Sequence, residues 1–146
     1  MATKIFVNLP VKDLKRSMDF FTALGYTFNM QFTDEKAACL VISEDIYSML
    51  LTEEYFQTFT PKKQVSDATK TTEAIIALSA DSREAVDDIL EKAVKAGATL
   101  YRDTQDHGFM YERSFADPDG HQWEILWMDP AFVQQPEETV AQAVQN

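Results

Sequence analysis

From Ile5 to Val11 the chain alternates: Ile5, Val7, Leu9 and Val11 fall on one side, and Phe6, Asn8 and Pro10 on the other. A period of two is the signature of a strand with two different faces. The period then lengthens. Leu14, Met18, Phe21 and Leu24 recur at helical spacing behind Asp13, and Gly25 follows them. This predicts an amphipathic helix with an aspartate N-cap and a glycine stop. The same order returns later in the chain. A strand-like run over 73–79 leads to Asp81 as cap, Val86, Ile89, Leu90 and Ala93 as apolar face, and Gly97 as stop. Such self-similarity marks a repeated supersecondary unit.

Three strand-like runs follow each helix. In the first unit they cover 26–33, 36–43 and 46–52, and in the second 99–105, 109–115 and 122–128. Between the last two, Asp117-Pro118-Asp119-Gly120 is a strong turn signal, because proline presets one dihedral and glycine permits a positive one. The predicted class is α+β: two tandem βαβββ modules forming a curved mixed sheet around a pocket. The modules span about 4–60 and 72–129 within one domain, residues 1–130. Residues 53–59 fit a short helix and 61–71 a polar connecting loop. A tail, 131–146, follows Pro130, and Pro136 can open a short helix carrying Val140 and Val144 on one side.

The alternation also sorts residues between faces. Val7, Leu9 and Val11, with Trp123, Ile125 and Trp127, suit the side that packs on helices. Phe6, Asn8, Gln122 and Glu124 then share the other side. A mixed polar and apolar face of this kind fits a ligand cleft or a plainly solvated face; periodicity alone leaves both open.

Composition narrows the function. Thirteen Lys and Arg stand against 24 Asp and Glu, for a net charge of −11. Such a surface repels phosphate backbones and anionic lipid, which argues against nucleic-acid and membrane partners, and it attracts cationic small molecules. No run approaches a membrane span. Residues 1–11 do not read as a signal peptide, so a cytoplasmic location is expected. Cys39 is the single cysteine, set in an apolar run, so neither a disulfide nor a cysteine zinc site is available. The two histidines, His107 and His121, both lie in turns, where solvation is the ordinary fate. The acidic group Asp117, Asp119 and Glu124 lacks the spacing of a calcium loop. Tyr111, Glu112 and Arg113 can add to a pocket, Arg113 for an anionic group, or form an exposed charged pair.

The run from Phe6 through Asn8-Leu9-Pro10-Val11-Lys12-Asp13-Leu14 to Ser17, the Phe20-Phe21 pair, Leu24-Gly25, and the closing stretch from Phe115 through Asp117-Pro118-Asp119-Gly120-His121 to Glu124 resemble the vicinal oxygen chelate superfamily. That group holds glyoxalase I, extradiol dioxygenases, and bleomycin- and fosfomycin-resistance proteins. The resemblance covers about residues 4–129. It implies a small-molecule ligand and a homodimer. In metal-using members four ligands come from the inner faces of four strands. Carried over by alignment, those positions fall at Phe6, near Leu50, at Ile75 and at Glu124. Only Glu124 can bind a metal, so no metal and no cofactor is expected. The expected pocket set is Phe6, Asn8, Leu50, Ile75, Gln122, Glu124 and Arg113. The leading reading is metal-independent binding of a small organic ligand, with a cation favoured by the acidity. The alternative is a lyase or isomerase of the glyoxalase I type with Glu124 as general base. An extradiol dioxygenase is disfavoured, because it needs two histidines and a carboxylate on iron.

Overall fold

Asp13 ends the first strand and starts the first helix: its carboxylate accepts from the Arg16 N–H at 3.0 Å. This handover from strand to helix recurs in the second half, and it organises the computed structural model, which describes residues 2–132. The elements are β1 (Ile5–Val11), α1 (Leu14–Ala23), β2 (Thr27–Asn29), β3 (Ala37–Val41), β4 (Ile46–Thr52), α2 (Glu53–Gln57), β5 (Ile75–Ser79), α3 (Arg83–Lys95), β6 (Gln105–Asp106), β7 (Met110–Ala116) and β8 (Gln122–Met128). The two βαβββ modules are present. Each builds its own four-stranded sheet, in the order β1-β4-β3-β2 and β5-β8-β7-β6, with one parallel pair beside antiparallel ones.

Local chemistry moved several expected boundaries. The strand expected over 26–33 stops at Asn29, whose side chain accepts from the Gln31 N–H and turns the chain into a short 3-10 segment, Met30–Phe32. Ser82, not Asp81, caps α3, with its hydroxyl accepting from Ala85 N–H at 3.0 Å. The run over 99–105 is a strand only at Gln105–Asp106, with a single bridge at Thr99. The tail helix expected after Pro136 lies outside the described residues.

One core joins the modules. Val11, Ala38, Leu40 and Leu50 from the first sheet meet Phe20, Phe21 and Leu24 of α1, Val86, Leu90 and Ala93 of α3, and Phe115, Trp123 and Ile125 of the second sheet. Phe21 packs edge-on to Trp123 at 5.2 Å, and Phe20 lies 5.9 Å from Phe115, so α1 touches the opposite sheet as well as its own. Both sheets therefore turn their helix-bearing faces toward this shared core. Their other faces point away from it.

The turn after β7 fastens the two halves. Asp117 accepts from the N–H groups of Asp119 and His121 and from the Trp123 indole. Asp119, 4% exposed at its side chain, accepts from Lys12 N–H at 2.8 Å, the Ser17 hydroxyl at 3.1 Å and Arg16 at 3.2 Å. His121 Nε2 lies 2.7 Å from the Pro10 carbonyl oxygen, so this histidine is tied across the seam rather than solvated. Gly120, at φ +88°, sits where a Cβ would come within 2.8 Å of the Ala68 backbone.

Candidate functional site

The outward face of the first sheet is apolar and aromatic. Phe6 pairs in register with Tyr47, and their rings stack at 4.8 Å. Asn8 pairs with Met49, and Leu51 follows on the same face. Asn8, Met49 and Leu51, with Phe32, Tyr55 and Phe59 and the polar Gln31, Thr33 and Asp34, line a cleft of about 400 Å³; the Phe6–Tyr47 stack lies outside it. Asn8 donates to its neighbour's carbonyl, Phe6 O, at 3.2 Å. Leu50 is not here. It pairs with Leu9, and paired residues share a face, so it points into the core at 0% exposure; Met49 and Leu51 take the outward positions.

The outward face of the second sheet is polar. Ile75 pairs with Gln122, Ala77 with Glu124, and Ser114 with Glu124 from the other side. Glu112, two residues before Ser114, shares this face. Above the sheet lies Arg102, whose Nη1 donates to Glu112 Oε1 at 2.9 Å and to Glu124 Oε1 at 3.3 Å. Arg113 lies elsewhere. It pairs with the core residue Ile125 and reaches α3, where it donates to Asp87 at 3.0 Å beside the Tyr111 hydroxyl. Farther along the edge, Arg83 grips Asp106 through both oxygens, holding that carboxyl at about 2, and stacks over Tyr111 and Trp127. His107 stands in the exposed turn beyond it.

Glu124 lies with Glu112 under one guanidinium. Burial pushes the Glu124 carboxyl above the usual glutamate range, the hydrogen bond and charge of Glu112 push it further, and Arg102 opposes both. A folded-state acid with a raised pKa binds its proton more tightly than the unfolded chain does. Its contribution to stability is complete at low pH and is lost as pH rises through the folded value. Glu124→Gln, which mimics the protonated form, is therefore expected to melt at or above the parent temperature near pH 8. The parent should regain the difference toward about pH 4, where free glutamate is itself protonated. Thermal melts at both pH values check this, and a variant less stable at pH 8 would show that the ionised carboxylate holds the fold.

The expected pocket residues thus separate into three groups. Phe6 and Asn8 lie on the first outward face, Ile75, Gln122 and Glu124 on the second, and Leu50 and Arg113 on the core side. Asn8 and Gln122 do meet along one further cleft of about 390 Å³, at the seam under the 60–74 connection. A divalent metal does not fit these outward faces. The first face offers phenyl, thioether and aliphatic groups, the two carboxylates of the second, Glu112 and Glu124, already accept from Arg102, and no third His, Cys, Asp or Glu joins them among the described residues. Sequence reasoning missed Arg102, Met49, Tyr55 and Phe32. Alternation back from Glu124 through its neighbour strand offered a signal for Glu112; nothing in the periodicity marked Arg102, because its segment leaves the ladder.

A family model, described as the Glyoxalase/Bleomycin resistance protein/Dioxygenase superfamily, matches residues 5–125. Among solved structures, the hypothetical protein SA1046 from S. aureus is similar at 27% identity and a TM-score of 0.73, over 87% of this chain and 94% of that one. A glyoxalase/bleomycin resistance protein/dioxygenase family enzyme from Burkholderia phytofirmans PsJN aligns at 18% identity and a TM-score of 0.69, over 87% and 99%. The fosfomycin resistance protein FosX from Mesorhizobium loti aligns at 16% and 0.63, over 96% and 98%. The last two likenesses are of fold. A sequence search of curated proteins found no match. With both modules in place and the model spanning them, this chain belongs to the Glyoxalase/Bleomycin resistance protein/Dioxygenase superfamily.

Proposed function

We propose that residues 1–130 act as one cytosolic binding domain that takes up a small organic ligand without a metal, and that the site closes when two copies pair. The observation that carries this reading is the donor set: aromatic and aliphatic side chains stand at the strand positions where metal-using relatives place ligands, and Arg102 occupies the remaining carboxylate. Aromatic and aliphatic walls with placed polar groups, here Asn8, Gln31, Thr33 and Asp34, are the usual form of an organic ligand site. Pairing is supported by the exposure of Phe6 at 49%, Ile75 at 51%, Phe32 at 60% and Phe59 at 64%. A lone soluble chain seldom leaves so many large apolar groups in water. Setting the first outward face of one copy against the second outward face of another covers them, and brings Phe6 and Asn8 opposite Ile75 and Glu124. The net charge of −11 favours approach by a cationic compound. The single cysteine, buried, fits a reducing compartment.

A second reading keeps Glu124 as a general base of a lyase or isomerase. Its raised pKa and its partner Glu112 favour it, since a carboxyl tuned upward is better matched to proton transfer near neutrality.

Native mass spectrometry of the purified protein tests the proposal in one measurement. The expected result is an ion of twice the 16.6 kDa chain mass, free of metal, that gains mass on incubation with bleomycin, the cationic probe. One transition metal per chain, removed by Glu124→Ala, would overturn it. So would a monomer that takes up no probe.

A further inference from the structure

Along the outer edge of β7 the ladder is interrupted. Thr99 exchanges both backbone hydrogen bonds with Ala116, at 3.0 and 2.8 Å, and Gln105 pairs with Glu112. Between these points the five residues 100–104 lie opposite the three residues 113–115. The longer segment bulges off, and a cleft of about 420 Å³ opens between the two, lined by Tyr101, Arg102, Asp103, Thr104, Arg113 and Ser114.

Part of the backbone facing this cleft has no partner among the described residues. Ala116 turns its N–H and C=O toward Thr99, and Met110 turns its C=O toward His107. Successive strand residues alternate, so Ser114 turns its own N–H and C=O to the same side. No residue of the bulge bonds either group, although Ser114 is only 3% exposed. A peptide group facing such a cleft is left to bond water or a ligand that displaces it. The side chains add donors. Arg102 uses Nη1 on Glu112 and Glu124, and Arg113 uses Nη1 on Asp87. The Nη2 and Nε of both guanidinium groups have no partner among the described residues. Asp103 is the one carboxylate residue on the lining, beside Arg102, Thr104 and Ser114; Arg113 borders the cleft from β7, with its guanidinium on the core side against Asp87.

We infer that this bulge is a binding slot for the carboxylate of a small organic ligand, one oxygen on the Ser114 N–H and the other on the free edge of Arg102. The inference rests on reading the second outward face as a ligand wall, and it names the group that lies against it. It runs against the protein's overall charge. That field is screened beyond about 8–10 Å at physiological salt, whereas a guanidinium–carboxylate contact acts at hydrogen-bond range, so the local donors decide.

Benzoate is the probe and benzylamine its cationic counterpart. In an amide and arginine Nε–H NMR titration, benzoate is expected to shift the Ser114 amide and the Arg102 Nε–H together, with a Kd on the order of millimolar for so small a ligand. Arg102→Gln should weaken this at least tenfold. Arg102→Lys, which keeps the charge and loses the fork, should fall between, and it keeps the test open where the glutamine variant does not fold. Benzylamine should leave both signals unmoved. The slot is refuted when benzoate moves neither signal, when benzylamine moves them instead, or when the Lys variant binds like the parent. Bleomycin uptake by the dimer with no benzoate response would sink this inference and leave the broader binding proposal standing.

Discussion

Replacing Trp123 with alanine is expected to cost about 3–5 kcal/mol, the range for a fully buried large aromatic. The indole is 1% exposed and packs against Phe21 of α1, so its removal opens a cavity where the two modules share their core. It also strips Asp117 Oδ2 of its indole donor at 3.0 Å. That carboxyl is buried, and burial already raises its pKa, so loss of a donor adds to the cost of ionising it. Trp127 shares the same strand parity but not the same setting. It is half-buried under the Arg83 guanidinium at 5.3 Å, and its truncation should cost only about 1–2 kcal/mol, from partial burial and one cation–π contact. Urea unfolding of the two variants checks the pair. Equal losses would mean that the end of β8 is as deeply packed as its middle.

The contrast between these tryptophans shows what alternation tells and what it omits. Parity along β1 and β8 marks the core side, and Val11, Trp123 and Ile125 are all buried there. Depth along the strand depends on where α3 ends and what covers the sheet, which no period records. β4 was harder to read. Met49, Leu50 and Leu51 are all apolar, so the strand carries no alternation, and its register is set by pairing with β1. Alignment points Leu50 to the pocket, but its pairing with Leu9 sends it to the core. Arg113 shows the same limit on β7, where only the pairing with Ile125 reveals its face. Arg102 lay within an expected regular strand, and its reach over Glu112 and Glu124 comes from the bulge. A bulge is a mismatch in length between two segments, legible only once their pairing is known.

The turn at Asp117-Pro118-Asp119-Gly120 was legible as a turn, and its larger role was not. Asp119→Ala is expected to cost about 3–5 kcal/mol. The aspartate closes no loop of its own; it accepts from Lys12 and Ser17, more than a hundred residues earlier, and from Arg16 beside them. Alanine leaves the Lys12 N–H and the buried Ser17 hydroxyl without an acceptor where the start of α1 meets the second module, at about 1–3 kcal/mol for each group left unsatisfied. Arg16 is 45% exposed at its side chain and can return to water, so its share of the loss is small. Asp119→Asn separates the two contributions. Its amide oxygen still accepts from Lys12, and the Ser17 hydroxyl can rotate to accept from the new amide nitrogen. The charge opposite Arg16 and the acceptor of the Ser17 O–H are then lost while both backbone and hydroxyl contacts persist, and the cost should fall to about 1–2 kcal/mol. Unfolding curves for the two variants would decide between these accounts: an asparagine variant as damaged as the alanine one would show that the negative charge, rather than its hydrogen bonds, fastens the modules.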